Sequence, residues 1–151
     1  MVKQYPGTLH AHTDFSNLRL RDSINKVPTL INKAIELGHT CVAITDHETI
    51  SSFVQVEEYA AKVKDKIKVI RGNEIYLVRN GLNADNFNKE KDKYYHFILL
   101  AKDREGAKQI MEISTRAWMR SYVARRMRRV PTYYQDLVDI IGANPGHVIG
   151  S

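Results

Sequence analysis

The feature that most constrains this chain is a series of short apolar segments, several of them closed on the downstream side by a histidine or a carboxylate, with His96, near the start of its segment, breaking the pattern. Thr40-Cys41-Val42-Ala43-Ile44-Thr45 is mostly apolar, partly β-branched and does not alternate, the pattern of a strand covered on both faces. Asp46-His47-Glu48 follows at once. Thr8-Leu9-His10-Ala11-His12 reads as a short strand that ends in two histidines. Residues 68–72 and 74–78 read as two further strands, with Glu74 just past Gly72. Between these segments the apolar period changes to that of a helix. Pro28 opens one helix, with Val27, Leu30, Ile31, Ala34 and Leu37 at helical spacing and Gly38 as its terminator. A second runs from about Ser52 to Lys64, with Phe53, Val56, Ala60 and Val63 as its buried stripe and Ser51 or Ser52 as its cap.

The alternation continues downstream. Residues 13–26 are polar and irregular, and residues 79–93 have the composition of a surface loop or hairpin tip. Tyr94 to Ala101 is a strand. A helix from Arg104 to about Arg120 places Ala107, Ile110, Met111, Ser114 and Trp118 on one side. Pro131 precedes a short helix over residues 133–141, and Val148-Ile149 begins another strand. Strand, helix, strand, helix is the order of an α/β fold with mainly parallel strands. Pattern alone leaves a doubly wound sheet and a barrel both open. The 151 residues suit one domain, with enough apolar side chains to fill a core. No apolar run reaches the ~18 residues of a membrane span, and no apolar leader opens the chain. The single cysteine, Cys41, excludes an internal disulfide, makes a reducing cytoplasm the default, and reads as a small core residue.

In parallel α/β folds the downstream strand ends converge, and sites form there. His10 and His12, two apart on a strand, point to one side and can share one ion. Alone this is a weak signal. Asp46-His47 and Glu74, arriving from other strand ends, strengthen it, because histidines and carboxylates together suit two or three adjacent divalent ions. Such a cluster activates water and neutralises phosphate charge during in-line attack. Plainer readings stand beside these: Asp46 as a helix cap, Glu74 as a solvated strand residue, and His96 as a core histidine between Tyr95 and Phe97. His39 and His147 read as loop and turn residues.

The net charge of +6 favours an anionic partner only weakly, but its distribution says more. Arg116, Arg120, Arg125, Arg126, Arg128 and Arg129 crowd one stretch with no acidic residue among them. Three readings stay open: contact with a nucleic-acid backbone, a docking face for another domain or subunit, and a solvated helix end. No aromatic ladder stands beside the cluster in sequence.

The ordered motifs resemble the PHP domain of the alpha subunit of bacterial-type or phage DNA polymerase III. Leu9-His10-Ala11-His12-Thr13-Asp14-Phe15-Ser16 resembles its opening, and Ala43-Ile44-Thr45-Asp46-His47 its second signature. Arg71-Gly72-Asn73-Glu74 resembles its Gly-x-Glu signature. Tyr95 to Lys102, Arg116-Ala117-Trp118 and Arg129-Val130-Pro131 resemble segments of the polymerase branch. By position, the resemblance implies that His10, His12, Asp22, His47, Glu74 and His96 are metal ligands, with Asp46 beside them in an orienting role. It implies a distorted β/α barrel of PHP type holding two or three divalent ions. Zinc or manganese is expected first, with iron or magnesium as alternatives. It also implies that residues 1–151 are an incomplete N-terminal portion, with a cysteine, an aspartate and a histidine ligand beyond Ser151.

Three functions follow from the resemblance. The first is a metal-dependent 3′-5′ exonuclease site for proofreading, in a parent that is a DNA-directed DNA polymerase of the cytoplasm, or of the host cytoplasm if phage-encoded. The second is a metal-stabilised structural module of that polymerase without turnover. The third is a free-standing small-molecule phosphoesterase. DNA, the other polymerase domains and replication subunits are the expected partners, and no membrane is.

Overall fold

The computed structural model describes residues 6–18, 20–78, 88, 93–124 and 127–151. The chain divides into two compact units, Met1–Asn73 and Glu74–Ser151.

In the first unit, β1 (Gly7–Thr8), β2 (Cys41–Ile44) and the first half of β3 (Lys68–Val78) pair in parallel. The register sets Thr8 against Val42 and Ile44 against Arg71. Two helices connect the strands, α1 (Val27–Glu36) and α2 (Phe53–Val63). Pro28 sits in the first turn of α1, where the missing N–H has no helical partner to lose. Gly38, at φ 74°, takes the left-handed turn that stops the helix, and its N–H and that of His39 donate to Ile35 and Ala34 carbonyls. Val27, Ile31 and Ala34 from α1 pack with Val56 and Val63 from α2, Val42 and Ile44 from β2, and Ile67. Burial of each large side chain in this core contributes about 1.5–3 kcal/mol. Ser52 stands at the N-cap of α2 as expected, although its hydroxyl caps nothing.

The first expected strand is shorter than its sequence suggests. It ends at Thr8, so His10 and His12 lie on the chain beyond it. Conversely, the two strands expected over residues 68–78 are one, uninterrupted at Gly72-Asn73.

In the second unit the rest of β3 pairs in parallel with β7 (Pro131–Thr132), through Tyr76 with Pro131 and Leu77 with Thr132. β4 (Tyr94–Ala101) pairs antiparallel with β8 (Val148–Gly150), which adds an antiparallel pair to the parallel ones and makes the sheet mixed. Backbone bonds between Ile98 and Ser151 extend that ladder. α3 (Arg104–Met119) buries Ala107, Ile110, Ile113, Ser114 and Ala117. Met111, expected on that stripe, is exposed, because the stripe passes through Ile113 instead. After α3 come β5 (Tyr122–Ala124) and β6 (Met127–Arg129), an antiparallel pair that the sequence did not announce. The short helix after Pro131 begins as α4 (Tyr134–Leu137) and continues as one π-helical turn over Val138–Gly142.

The hydrogen-bonded strand order is β1-β2-β3-β4-β8, with β7 also on β3. This is an α/β fold whose sheet is not closed into a complete barrel. Most of the loop expected over 79–93 lies outside the described residues.

Candidate metal centre

In the first unit the site is built around a buried carboxylate, that of Asp46, which directly follows β2 and Thr45. Asp46 accepts from the Thr13 backbone N–H at 2.6 Å, from Thr13 Oγ1 at 2.9 Å to each oxygen, and from Ser16 Oγ at 2.9 Å. A fully buried carboxylate needs such a shell of donors. Asp46 therefore does not cap α2. It ties the chain after β1, and the 3-10 helix at Asp14–Leu18, to the end of β2.

That shell bears on the tautomer of a histidine. The Asp46 carboxylate only accepts, so the Ser16 hydroxyl donates its single hydrogen to it. The Ser16 oxygen then accepts from the His47 backbone N–H at 3.1 Å and faces His12 Nδ1 at 3.3 Å. With its hydrogen committed, Ser16 receives Nδ1–H from His12, and the unprotonated nitrogen of a neutral His12 is Nε2. His12 Nε2 lies 2.9 Å from His10 Nε2. Two ligand nitrogens on one divalent ion at ~2.0–2.1 Å lie about 3 Å apart, so this separation fits a shared ion. Two strand-end tethers hold the pair: Ala11, between the histidines, gives its N–H to Thr45 Oγ1 at 3.1 Å and receives the Thr45 N–H at 2.8 Å.

The other early residues gather next to this pair. The His47 ring stacks on that of His12, centroids 4.1 Å apart, and His47 Nε2 meets Asp22 Oδ2 at 2.9 Å. His47 is buried while Asp22 is exposed. The Asp22 turn is held by Asn17, whose Oδ1 accepts from the Asp22 and Ser23 N–H groups. Ser23 Oγ in turn donates to the His12 carbonyl at 3.0 Å. Behind the loop, Asn73 Nδ2 donates to the Asp46 carbonyl at 2.7 Å and to that of Thr49 at 3.1 Å. Glu48, next to His47, is buried at φ 51°, a left-handed conformation rare outside glycine.

In the second unit Glu74 is 1% exposed, which removes its reading as a solvated strand residue. Its Oε1 lies 2.5 Å from His96 Nδ1. His96 is a solvent-facing residue rather than a core histidine, with its ring edge-on to Tyr76 at 4.5 Å between centroids. A carboxylate this buried requires a positive or hydrogen-bonding partner, and a divalent ion is one such partner. By donor type, the imidazoles of His10 and His12 in the first unit and the carboxylate of Glu74 in the second are each groups that can hold a divalent ion. His39 and His147 fall on non-helical backbone, as expected, and His147 Nδ1 meets the Asp103 carboxylate at 2.7 Å.

The arginine cluster is not uniform. Arg116 pairs with Glu112 at 2.7 Å and Asp139 at 3.2 Å, and the hydrogen bond it donates to Glu112 chiefly holds its pKa above the ordinary value. Arg120 forks onto Asp136, its Nη2 to Oδ1 at 2.9 Å, and lies over the Tyr133 ring at 4.5 Å. Burial pushes the Tyr133 phenol up, opposed in part by Arg120. Arg128 and Arg129 lie on β6, and Arg125 and Arg126 lie outside the described residues.

Among the described residues, no helix is long and apolar enough to cross a membrane. The PHP domain family model matches residues 8–149. A DNA-directed DNA polymerase of Bacillus phage SPbeta is 37% identical over 149 residues, covering 94% of this chain and 11% of the relative. The DNA polymerase III subunit alpha of Helicobacter pylori (strain ATCC 700392 / 26695) is 35% identical over 115 residues, covering 76% of this chain and 9% of the relative. That of Aquifex aeolicus is 31% identical over 158 residues, covering 87% and 13%. The chain thus spans about a tenth of the length of these curated relatives.

Proposed function

Because the chain belongs to the PHP-domain family, we propose that it carries a divalent-metal centre for phosphodiester hydrolysis, acting as a 3′-5′ exonuclease within a replicative DNA polymerase. The observation that carries this reading is the pair of imidazoles, His10 and His12, with Nε2 atoms 2.9 Å apart and His12 Nδ1 facing the Ser16 hydroxyl. The proposed ligands are His10, His12, Asp22, His47, Glu74 and His96, for two or three ions, with zinc or manganese preferred. Divalent ions bound there would supply positive charge beside the phosphate and a nucleophile at neutral pH. The protein's own part is orientation. Asp46, through Thr13 and Ser16, fixes His12 and the backbone of His47, while Asn17 and Ser23 fix the turn that carries Asp22. The polymerase relatives favour a DNA strand as substrate, in the cytoplasm, with the remaining polymerase domains and replication subunits as partners.

The test is elemental analysis of the purified chain beside a His10→Ala/His12→Ala variant, with release of mononucleotides from 3′-labelled single-stranded DNA as second readout. Two or three divalent ions per chain, lost in the variant together with nucleotide release, are expected. Metal without nucleotide release in the full-length protein would reduce the centre to a structural role. No metal in the full-length protein after reconstitution with zinc or manganese would overturn the reading.

A further inference from the structure

Asn73 puts an amide at a covered position of β3, between Gly72 and Glu74, where it is 1% exposed. An amide taken out of water is costly unless it is hydrogen-bonded, so its partners explain why an asparagine stands there. They lie in the loop after β2: Asn73 Nδ2 donates to the Asp46 carbonyl at 2.7 Å and to the Thr49 carbonyl at 3.1 Å. The two bonds use both hydrogens of the amide and fix its orientation, since a flipped amide would set its oxygen against two carbonyls. The strand register accounts for the reach. Ile44 pairs with Arg71, so Asn73 comes level with Asp46, two residues further along each chain.

The two accepting carbonyls bracket His47 and Glu48. One amide can serve both only if the chain turns between them, and the turn is at Glu48, with φ 51°. A residue with a side chain keeps such a left-handed conformation only where its surroundings hold it. The other contacts of His47 act on its own ring and N–H. The N–H donates to Ser16 Oγ at 3.1 Å, the ring stacks on that of His12, and Nε2 meets Asp22 Oδ2 at 2.9 Å. Asn73 instead binds the main chain on either side of the turn, while the Thr49 hydroxyl is engaged with Ser51.

We infer that Asn73 is a positioning residue for His47: by binding the Asp46 and Thr49 carbonyls it locks the turn in the conformation that sets the His47 ring against His12 and Asp22. Asn73 acts through His47 and is not a ligand. All of these residues belong to the first unit. The use of His47 by a metal rests on the proposed function, and the lock itself does not.

The test uses the full-length protein with Asn73→Asp, which keeps the shape and loses both donor hydrogens. Its control is Val63→Ala, a core truncation at the last residue of α2, the end away from the turn. Zinc affinity is measured by competition with a chromophoric chelator, and the absorption bands of the cobalt(II)-loaded protein report the geometry around the ion. Asn73→Asp is expected to bind zinc about 10–100-fold more weakly and to shift the cobalt bands. Val63→Ala is expected to stay within about twofold, with the bands of the parent, as a separate site should. Unchanged affinity or unmoved bands in Asn73→Asp, or an equal change in Val63→Ala, would overturn the inference. If Asn73→Asp does not fold, Asn73→Leu, which also lacks the donors, takes its place. A parent that takes up no metal counts against the proposed function, and the lock is then decided by hydrogen exchange of the peptide spanning residues 45–50 in the metal-free proteins. Exchange at least about tenfold faster in Asn73→Asp than in the parent and in Val63→Ala supports the lock, and equal rates overturn it.

Discussion

Ser16 is the residue on which the chemistry of His12 turns. Its hydroxyl gives its hydrogen to Asp46 and takes those of His12 Nδ1 and the His47 backbone, so its bonding capacity is used in full. Ser16→Ala removes the group that selects the His12 tautomer without touching a proposed ligand. Zinc affinity, measured by competition with a chromophoric chelator, is expected to fall about 10–100-fold, the usual effect of losing an orienting partner. Stability is expected to fall by about 1–3 kcal/mol, since Asp46 is left short of a donor. Unchanged zinc affinity would separate Ser16 from the site. At this scale the pairing of His10 with His12 was legible in the sequence: the His-x-His spacing brings two imidazoles together even though the strand that should present them stops at Thr8. The shell around Asp46 was not legible. Its donors lie some thirty residues earlier in the chain, and a serine or threonine in a polar stretch carries no mark of a buried partner.

Among the elements, α3 shows how a terminus is fixed. Asp103 accepts from the Gly106 N–H at 2.9 Å and meets His147 at 2.7 Å, so it caps the helix while anchoring the turn before β8. Gly106 is needed there, because a Cβ would come within 2.0 Å of the His147 carbonyl oxygen. The Gly106 N–H first, and the His147 hydrogen bond second, hold the Asp103 carboxyl below its ordinary pKa. A depressed carboxyl contributes stability that is present above its unfolded value and is lost as pH falls through its folded value. Asp103→Ala is therefore expected to lower the melting temperature at neutral pH, with the difference closing as the pH falls below the ordinary carboxylate range. Asp103→Asn should retain most of the capping at neutral pH. An equal deficit for Asp103→Ala at both pH values would show that the charge has no part in it. The helices were the most legible elements, since Pro28, Gly38 and the apolar periods mark them directly. The hairpin β5–β6 was obscured because its arginines give no alternating apolar pattern, and the antiparallel β8 because two apolar residues do not reveal direction.

For the whole molecule, the consequence of the proposed centre is linkage. A site that binds metal only when folded adds stability of RT ln(1 + [L]/Kd), about 2.7 kcal/mol at a hundredfold excess over Kd. For a chain of this size that is a rise of about 5–10 °C in melting temperature. Thermal unfolding in zinc or manganese, compared with unfolding in chelator, is expected to show that rise in the parent and not in His10→Ala/His12→Ala. Coincident curves for the parent would count against a metal-linked fold. The fold class was readable from the alternation of strand and helix. The mixed, open sheet was not, because closure and strand direction depend on pairings between segments far apart in the chain. The closeness of His10 and His12, by contrast, follows from their spacing of two residues, which already dictates proximity.

Glu48 carries a last consequence. Its backbone sits at φ 51°, where a residue with a side chain is strained by about 1–2 kcal/mol and glycine is not. Aspartate and asparagine also tolerate that conformation. Single base changes convert a glutamate codon to glycine or aspartate, so the genetic code places the conformationally favoured residues one step away. This position beside His47 is one where mutation can relax the main chain most readily, and where any use of the glutamate side chain is most easily traded for that relaxation.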